Sequence, residues 1–303
     1  MQFKLDLIDL RLFLAVADER TLTKGARRVF LSPSAASSRI RELEEQTSGR
    51  LFQRNHRGLE LTALGATFQR HARLVLRQVE YLQDECGVGG AGAGHLRIFA
   101  NTTAVTEFMP EILARFMAQR PNLTVDMLER ATPDIVSGVL EGAAEIGIVA
   151  GPILRDGLQV IPFDTDKVVL VTSETHPLAG REFVRYADMV DYPHIGLHEG
   201  SSMLSFVREL AQHQGKALRV RIQVRSFEAM CRLVESGVGV ALVPASAALR
   251  HQQQMRVAIV PVQEKWAVRE RSVLVRDLDA LSQAARALVS DICATHGSAV
   301  HKT

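Results

Sequence analysis

Five side chains between positions 34 and 41, Ser34, Ser37, Ser38, Arg39 and Arg41, carry chemistry suited to phosphate oxygens and base edges: short hydroxyl groups beside guanidinium forks. A second basic group, Arg50, Arg54 and Arg57, follows closely. From Arg20 to Arg57 nine basic residues (Arg20, Lys24, Arg27, Arg28, Arg39, Arg41, Arg50, Arg54, Arg57) stand against three acidic ones (Glu42, Glu44, Glu45), a local excess of +6 in a chain of 303 residues whose net charge is +2. Charge concentrated in this way favours a polyanion as partner, and such binding weakens steeply as salt rises.

Those residues need elements to hold them. Thr23 is placed to cap a short helix over Lys24 to Phe30. Ser32 then stands where the next N-cap belongs, and Pro33 falls at a first helical position, where its missing N–H is harmless. In the helix that follows, Ala36, Ile40 and Leu43 recur at i, i+4 and i+7 and share a buried stripe. Ser34, Ser38 and Arg41 therefore fall on the outer face, with Ser37 and Arg39 on its flanks. On this helix alone a solvated amphipathic face is the simpler reading; the hairpin tips it. After Gly49, a plausible helix stop, Leu51-Phe52 and Leu59-Glu60-Leu61 read as short strands around the turn Asn55-His56-Arg57-Gly58. Helix, turn, helix and basic hairpin in that order make a winged helix-turn-helix.

Thr62 is a further N-cap for a long helix to about Glu85, along which Phe68, Ala72, Val75, Val79 and Leu82 are spaced four, three, four, three. That spacing fits a dimer seam and equally a helix packed on its own domain. The stretch Gly87 to Gly94 contains a G-x-G-x-x-G string, but it leaves a helix and enters a strand, the reverse of the dinucleotide-binding order, so it reads as a hinge. From residue 91 onward 22 basic and 23 acidic residues balance. Apolar runs at Ile146–Val149, Val168–Val171 and Val238–Val243 read as strands covered on both sides. Helical patterns over Thr106–Gln119, Pro133–Glu141, Ser201–Gln214, Ser226–Ser236 and Leu281–Thr295 alternate with them, predicting a mostly parallel, doubly wound α/β sheet.

The amino-terminal stretch closely resembles the LysR-type transcriptional regulators. The residues that carry the likeness are Leu10-x-x-Phe13, the Ser-Pro-Ser-Ala entry at Ser32–Ala35, Ile40-Arg41-x-Leu43-Glu44, Leu51-Phe52-x-Arg54 and Leu61-Thr62-x-x-Gly65. Gly25 departs from the Ala usual there, at a helix-propensity cost of about 1 kcal/mol. The resemblance assigns Ser34, Ser37, Ser38, Arg39 and Arg41 to a groove-facing helix, Arg54 and Arg57 to the wing, and the long helix to dimerisation. Four signatures downstream, LRIFANTTAVTEFMPEILARF, EGAAEIGIVAG, LVTSETHPLA and VRSFEAMCRLVESGVGVALVPASA, are similar to the family's effector-binding domain, whose fold is like that of type 2 periplasmic binding proteins. The implied organisation is a DNA-binding domain over 1–62, a linker helix over 63–86, a hinge over 87–94 and an effector domain over 95–303, with one lobe of about 95–165 plus 267–303 and the other of about 166–266. Asn101, Thr102, Thr103 and Thr132 at strand-to-helix junctions, faced by Ser201, Ser202 and Ser226, correspond to effector-touching positions; plain helix capping is the alternative for each. Implied partners are promoter DNA, a small-molecule effector with anions and carboxylates foremost, RNA polymerase, and further copies of the chain as a homodimer or homotetramer.

Catalytic machinery is not visible. Cys86, Cys231 and Cys293 are isolated thiols without C-x-x-C, buried structural cysteines before redox switches, and they suit a reducing cytosol. The ten histidines show no metal-ligand spacing, and neither G-x-S-x-G nor G-x-x-x-x-G-K-[ST] occurs, so no enzyme activity, metal or cofactor is expected. The first residues mix acids into their apolar pattern, unlike a secretory segment, which points to the cytoplasm. A solute receptor would share the carboxy-terminal architecture but not the basic winged head; an enzyme on a similar fold would require convergent titratable groups.

Overall fold

The computed structural model describes residues 4–55, 58–86, 94–153 and 156–296, so Arg57 of the wing and residues 87–93 of the glycine-rich stretch lie outside the described residues. Contacts divide the chain into two units, Met1–Ala93 with Glu141–Ala143, and Gly94–Leu140 with Ala144–Thr303.

The first unit runs α1 (Leu7–Glu19), α2 (Leu22–Arg28), α3 (Pro33–Gln46), the hairpin β1 (Phe52–Asn55) and β2 (Gly58–Leu61), and α4 (Ala63–Glu85). A capping box starts α1: the Asp6 carboxylate accepts from the Asp9 N–H at 2.9 Å, and the Asp9 carboxylate accepts from the Asp6 N–H at 3.2 Å. Ser32 caps α3 by accepting from the Ala35 N–H at 3.2 Å, with Pro33 at the first helical position. Ala36, Ile40 and Leu43 are buried as their spacing predicts, against Leu10, Phe13, Val16 and Leu51. Phe13 centres this core, with ring centroids 5.0 Å from Phe52 and 4.8 Å from Phe68. Thr62 caps α4 by accepting from the Gly65 N–H at 3.0 Å.

Local details differ from the sequence reading. Helix α2 begins at Leu22, one residue after an N-cap Thr21 that makes no side-chain cap bond, so Thr23 lies inside the helix rather than before it. After α3 the left-handed residue is Ser48 at φ 54°, not Gly49. Gly25 serves close packing: a Cβ there would stand 2.7 Å from both the N and Cα of Val16, so α1 and α2 approach at a distance only glycine permits. On α4, Ala72 and Phe68 join the unit's own core, whereas Val75 and Leu82 are 44% and 61% exposed.

The second unit interleaves β3 (His95–Ala100), a π-helical turn over Ala104–Phe108, α5 (Met109–Ala118), β4 (Thr124–Glu129), α6 (Thr132–Leu140), β5 (Ile146–Ala150), β6 (Gln159–Ser173), α7 (Tyr186–Met189), β7 (His194–Leu197), α8 (Ser202–His213), β8 (Val220–Val224), α9 (Phe227–Glu235), β9 (Ala241–Pro244), α10 (Ala245–Gln252), β10 (Val257–Pro261), β11 (Val268–Val275) and α11 (Gln283–His296). Strands order as β10-β6-β11-β5-β3-β4, with β9 also on β6, and β7 pairs β8. Among the described strand pairs only β3·β4, β3·β5 and β7·β8 are parallel, so the sheet is mixed rather than mostly parallel.

The reason is β6. Its fifteen residues pair antiparallel with β11 over Gln159–Lys167 and with β9 and β10 over Val168–Ser173. It thereby serves three groups of core residues. Phe163 sits with Leu96, Ile98, Phe116, Ile148 and Val273. Further along, Val168 and Leu170 face Tyr186 and Leu242, while Val169 and Val171 face Ile195, Phe227 and Val243 on the opposite side. A strand covered on both faces must be apolar at every position, which is why the run at 168–171 is continuous.

Candidate nucleic-acid interface and ligand cleft

On the winged unit, Ser34, Ser37, Ser38 and Arg41 are exposed on α3, and Arg54 is exposed on β1. A groove between helix and hairpin is lined by Ser37, Arg41, Arg50, Gln53 and Arg54. The hairpin is fixed to α3 by Glu44, whose carboxylate accepts from the Leu51 N–H at 2.8 Å and the Phe52 N–H at 3.2 Å. Sequence reasoning counted Glu44 as a charge and as part of the Ile40-Arg41-x-Leu43-Glu44 motif, and missed this role. Arg41 lies 3.8 Å from Glu45, both largely exposed, a pairing too weak to hold the guanidinium away from a ligand.

Arg39 corrects the sequence expectation. Its Nη1 donates to Asp9 at 2.5 Å and Asp6 at 3.1 Å, the two carboxylates of the α1 capping box. These bonds raise the Arg39 pKa, Asp9 contributing most. Burial pushes the Asp6 carboxyl up, but hydrogen bonds from the Asp9 N–H and from Arg39 outweigh it and hold Asp6 below its usual value. Arg39 therefore ties α3 to the start of α1, because acidic caps outside the window of the local charge count had claimed it.

On the second unit, one cleft is lined by Asn101, Thr102, Thr103 and Ser202 together with Ala150, Asp166, Lys167, Val168, Met203, Pro244, Arg269 and Arg271. Thr132 adjoins it through Ser202: the Ser202 hydroxyl lies 2.8 Å from the Thr132 hydroxyl and accepts from the Thr132 N–H at 3.0 Å. Asn101 lines the cleft while capping, its Oδ1 accepting from the Ala104 N–H at 2.9 Å. Thr102 donates to Glu129 at 2.6 Å. Ser201 and Ser226 do not line the cleft; they cap α8 and α9, accepting from Met203 N–H at 3.3 Å and Ala229 N–H at 3.2 Å. Capping thus explains both, as most serines at helix starts.

The charged side of the cleft was not foreseen. Arg271 donates to Asp164 at 3.0 Å and also to Asp166, and its guanidinium lies 4.6 Å from the Phe108 ring centroid. Arg269, two residues earlier on the same face of β11, donates through Nη2 to the Ala150 carbonyl at 2.6 Å and lies 3.9 Å over the Phe206 ring. Burial brings its pKa down to about 10, with exposed Glu209 opposing the shift. The sequence signal was the alternation Val268-Arg269-Glu270-Arg271 entering an apolar strand, which places two arginines on one sheet face.

Cys231 is buried, and burial with the nearby Glu107 charge pushes its thiol up to about 11, far from a reactive thiolate. Among the described residues no group of three His, Cys, Asp or Glu could hold a metal ion, and no helix is long and apolar enough to cross a membrane.

Comparison with known proteins agrees with this arrangement. Residues 7–66 match the family model described as bacterial regulatory helix-turn-helix protein, lysR family, and residues 89–293 match the LysR substrate binding domain. A probable RuBisCO transcriptional regulator of Synechocystis sp. is 27% identical, the alignment covering 96% of this chain and 86% of that protein. A full-length OxyR variant from Pseudomonas aeruginosa has a similar fold, with a TM-score of 0.73 at 20% identity over 97% of each chain. Full-length CbnR complexed with its target DNA gives a TM-score of 0.62 at 21% identity, over 96% of this chain and 100% of that one. A winged basic head followed by an α/β unit with a lined cleft, matched along residues 7–66 and 89–293, means that the chain belongs to the LysR family of bacterial regulatory helix-turn-helix proteins.

Proposed function

We propose that the chain is a cytoplasmic transcription regulator, without enzyme activity, that reads promoter DNA with α3 and the wing and responds to a small molecule held in the cleft. The observation that carries the reading is the exposed face of Ser34, Ser37, Ser38 and Arg41 beside exposed Arg54, backed by a buried core that fixes their spacing. Serines let the backbone approach the groove, and guanidinium groups take phosphates or guanine edges. Arg57 extends the wing in this reading. Residues 1–62 form the head, 63–86 the dimerising helix, 87–94 the hinge, and 95–303 the effector domain, with lobes of about 95–165 plus 267–303 and about 166–266. Exposed Val75 and Leu82 on α4 supply an apolar stripe for a second copy. A two-fold pair carries two heads onto a roughly palindromic site, and a ligand that favours one lobe closure shifts how the heads are held, and with them polymerase recruitment.

The test is a titration of DNA flanking the gene, with scrambled DNA as competitor, over a range of salt. Arg54→Ala weakens binding to all sequences and lowers the salt slope by about 1, whereas Ser38→Ala and Arg41→Ala change base preference. Equal loss on every sequence from both kinds of variant overturns this division of labour.

A further inference from the structure

We propose that Arg269 selects the ligand of the cleft, and that this ligand is a singly charged organic carboxylate with a compact apolar body. The inference rests on the cleft being the effector site.

Three observations carry it. First, Arg269 Nη1 is buried and has no hydrogen-bond partner, although Nη2 is satisfied by the Ala150 carbonyl at 2.6 Å. A buried donor left unmade is costly, and guanidinium presents its donors in a fork matched to a carboxylate. Second, the charges around the cleft do not balance. Asp164 and Asp166 both pair with Arg271, and among the described residues no carboxylate lies within ion-pair distance of Arg269. Its stacking on Phe206 at 3.9 Å holds the cation without neutralising it. Third, the backbone makes room for it: Gly151 has φ 96°, and a Cβ there would come within 2.6 Å of Arg269 Nη2.

The rest of the lining sets the body of the ligand. Ala150, Val168, Met203 and Pro244 are apolar, which suits a short hydrocarbon or aromatic group, while Lys167 of the same lining is exposed to solvent and unpaired among the described residues. Thr103 lines the same cleft, and its hydroxyl makes no hydrogen bond among the described residues, leaving a donor for the second carboxylate oxygen. At neutral pH Arg269 remains protonated despite its burial.

Trp266, the chain's one tryptophan, stands edge-on to Phe206 at 5.7 Å and reports the site. The experiment follows its emission in the full chain, at fixed ionic strength, against butyrate, hexanoate and benzoate, the three corresponding amides, and sulfate. At least one carboxylate gives a saturable change and its amide binds about tenfold more weakly or worse; Arg269→Gln lowers affinity for the acid by a similar factor and leaves the amide unchanged, and Arg269→Lys restores part of the loss. Equal binding of acid and amide, an Arg269→Gln chain that binds the acid normally, a sulfate response matching the best carboxylate, or no saturable response at all overturns the proposal. Thr103→Phe, which fills the cleft, separates the two levels. If it abolishes binding that is indifferent to charge, the cleft reading stands and the carboxylate does not. If acid binding survives it, the cleft reading fails as well. Thermal melts of each variant confirm the fold, and the acid–amide comparison on the unaltered chain needs no variant.

Discussion

Arg269 and Arg271 share one face of β11, yet replacement by glutamine should cost stability at Arg271 and not at Arg269. The side chain of Arg271 is 7% exposed and bridges Asp164 and Asp166, themselves 13% and 14% exposed. Removing the guanidinium leaves two buried carboxylates side by side, a change that typically costs about 3–5 kcal/mol. Backbone N–H groups of Thr165 and Lys167 and the Ser246 hydroxyl still donate to these carboxylates, which places the loss near the lower figure. Arg269 has no carboxylate partner, and a guanidinium whose pKa burial brings down to about 10 holds on the order of 3 kcal/mol of unfavourable desolvation. Partial exposure and relaxation reduce that figure, and loss of the Ala150 carbonyl bond and the Phe206 stacking offsets part of the rest, so Arg269→Gln should leave stability unchanged or raise it by about 1 kcal/mol. Urea unfolding followed through Trp266 reads the right unit, since a chain of two units is not treated as one two-state transition. With a slope of about 2 kcal/mol/M, Arg271→Gln lowers the Trp266 midpoint by roughly 1.5 M. Restoring neutrality with Asp164→Asn and Asp166→Asn in the same chain should recover part of it. A midpoint that falls equally for Arg269→Gln and Arg271→Gln would refute the distinction between a paired and an unpaired cation.

Gly25→Ala improves helix propensity by about 1 kcal/mol yet should destabilise the winged head by about 1–2 kcal/mol net, because the new Cβ meets Val16 backbone at 2.7 Å; a thermal melt that rises instead would show that α1 and α2 separate freely. Arg39→Ala should lower head stability by about 1–2 kcal/mol while leaving base preference unchanged, measured by melting and by binding to a small set of altered sites. His194 is 1% exposed, its Nδ1 stands 2.9 Å from the Tyr192 carbonyl, and its Nε2 is buried without a partner. Burial holds its pKa below the usual value despite that hydrogen bond, so the unfolded chain binds the proton first; stability falls as pH drops below about 6.5, and the fall in Trp266 midpoint between pH 7.5 and 5.5 should be smaller in His194→Gln.

What could be read from the sequence was local and periodic. The Ser32 cap with Pro33, the stripe Ala36–Ile40–Leu43 and the Thr62 cap are decided by neighbours within one helical turn, and all three hold. The Thr23 cap and the Gly49 stop were displaced because tertiary contacts override such preferences: Gly25 lets α2 dock on Val16, and Ser48 takes the left-handed turn. In the second unit the apolar runs were legible, but not that β6 extends from Gln159 to Ser173, since the polar stretch Asp164–Lys167 gives no hydrophobic signal. That stretch carries Asp166 of the cleft lining and Asp164, which shares Arg271 with it. Asn101, Thr102, Thr103 and Ser202 were found from strand-to-helix junctions, whereas Arg269 comes from a strand distant in sequence from all four, whose partner in space no spacing rule could name.

The same limit governs the electrostatics of the head. A window from Arg20 to Arg57 holds a large positive excess, yet several of the acids that pair with it stand outside the window. Asp6 and Asp9 take Arg39, and Asp18 and Glu19 lie 3.3 Å and 3.9 Å from Arg28. Arg50 stands 3.9 Å from Glu44, itself spent on the hairpin amides. Among the described residues Arg20, Lys24, Arg27 and Arg54 have no ion pair, and Arg41 has only the loose contact with Glu45. Counterion release counts cations that reach phosphates rather than cations in a stretch of sequence. The salt slope per head should therefore follow the smaller set, and Arg28, although as basic as Arg54 by composition, should change it little when replaced by Ala. A loss of slope at Arg28 equal to that at Arg54 would mean that its contacts with Asp18 and Glu19 give way on DNA.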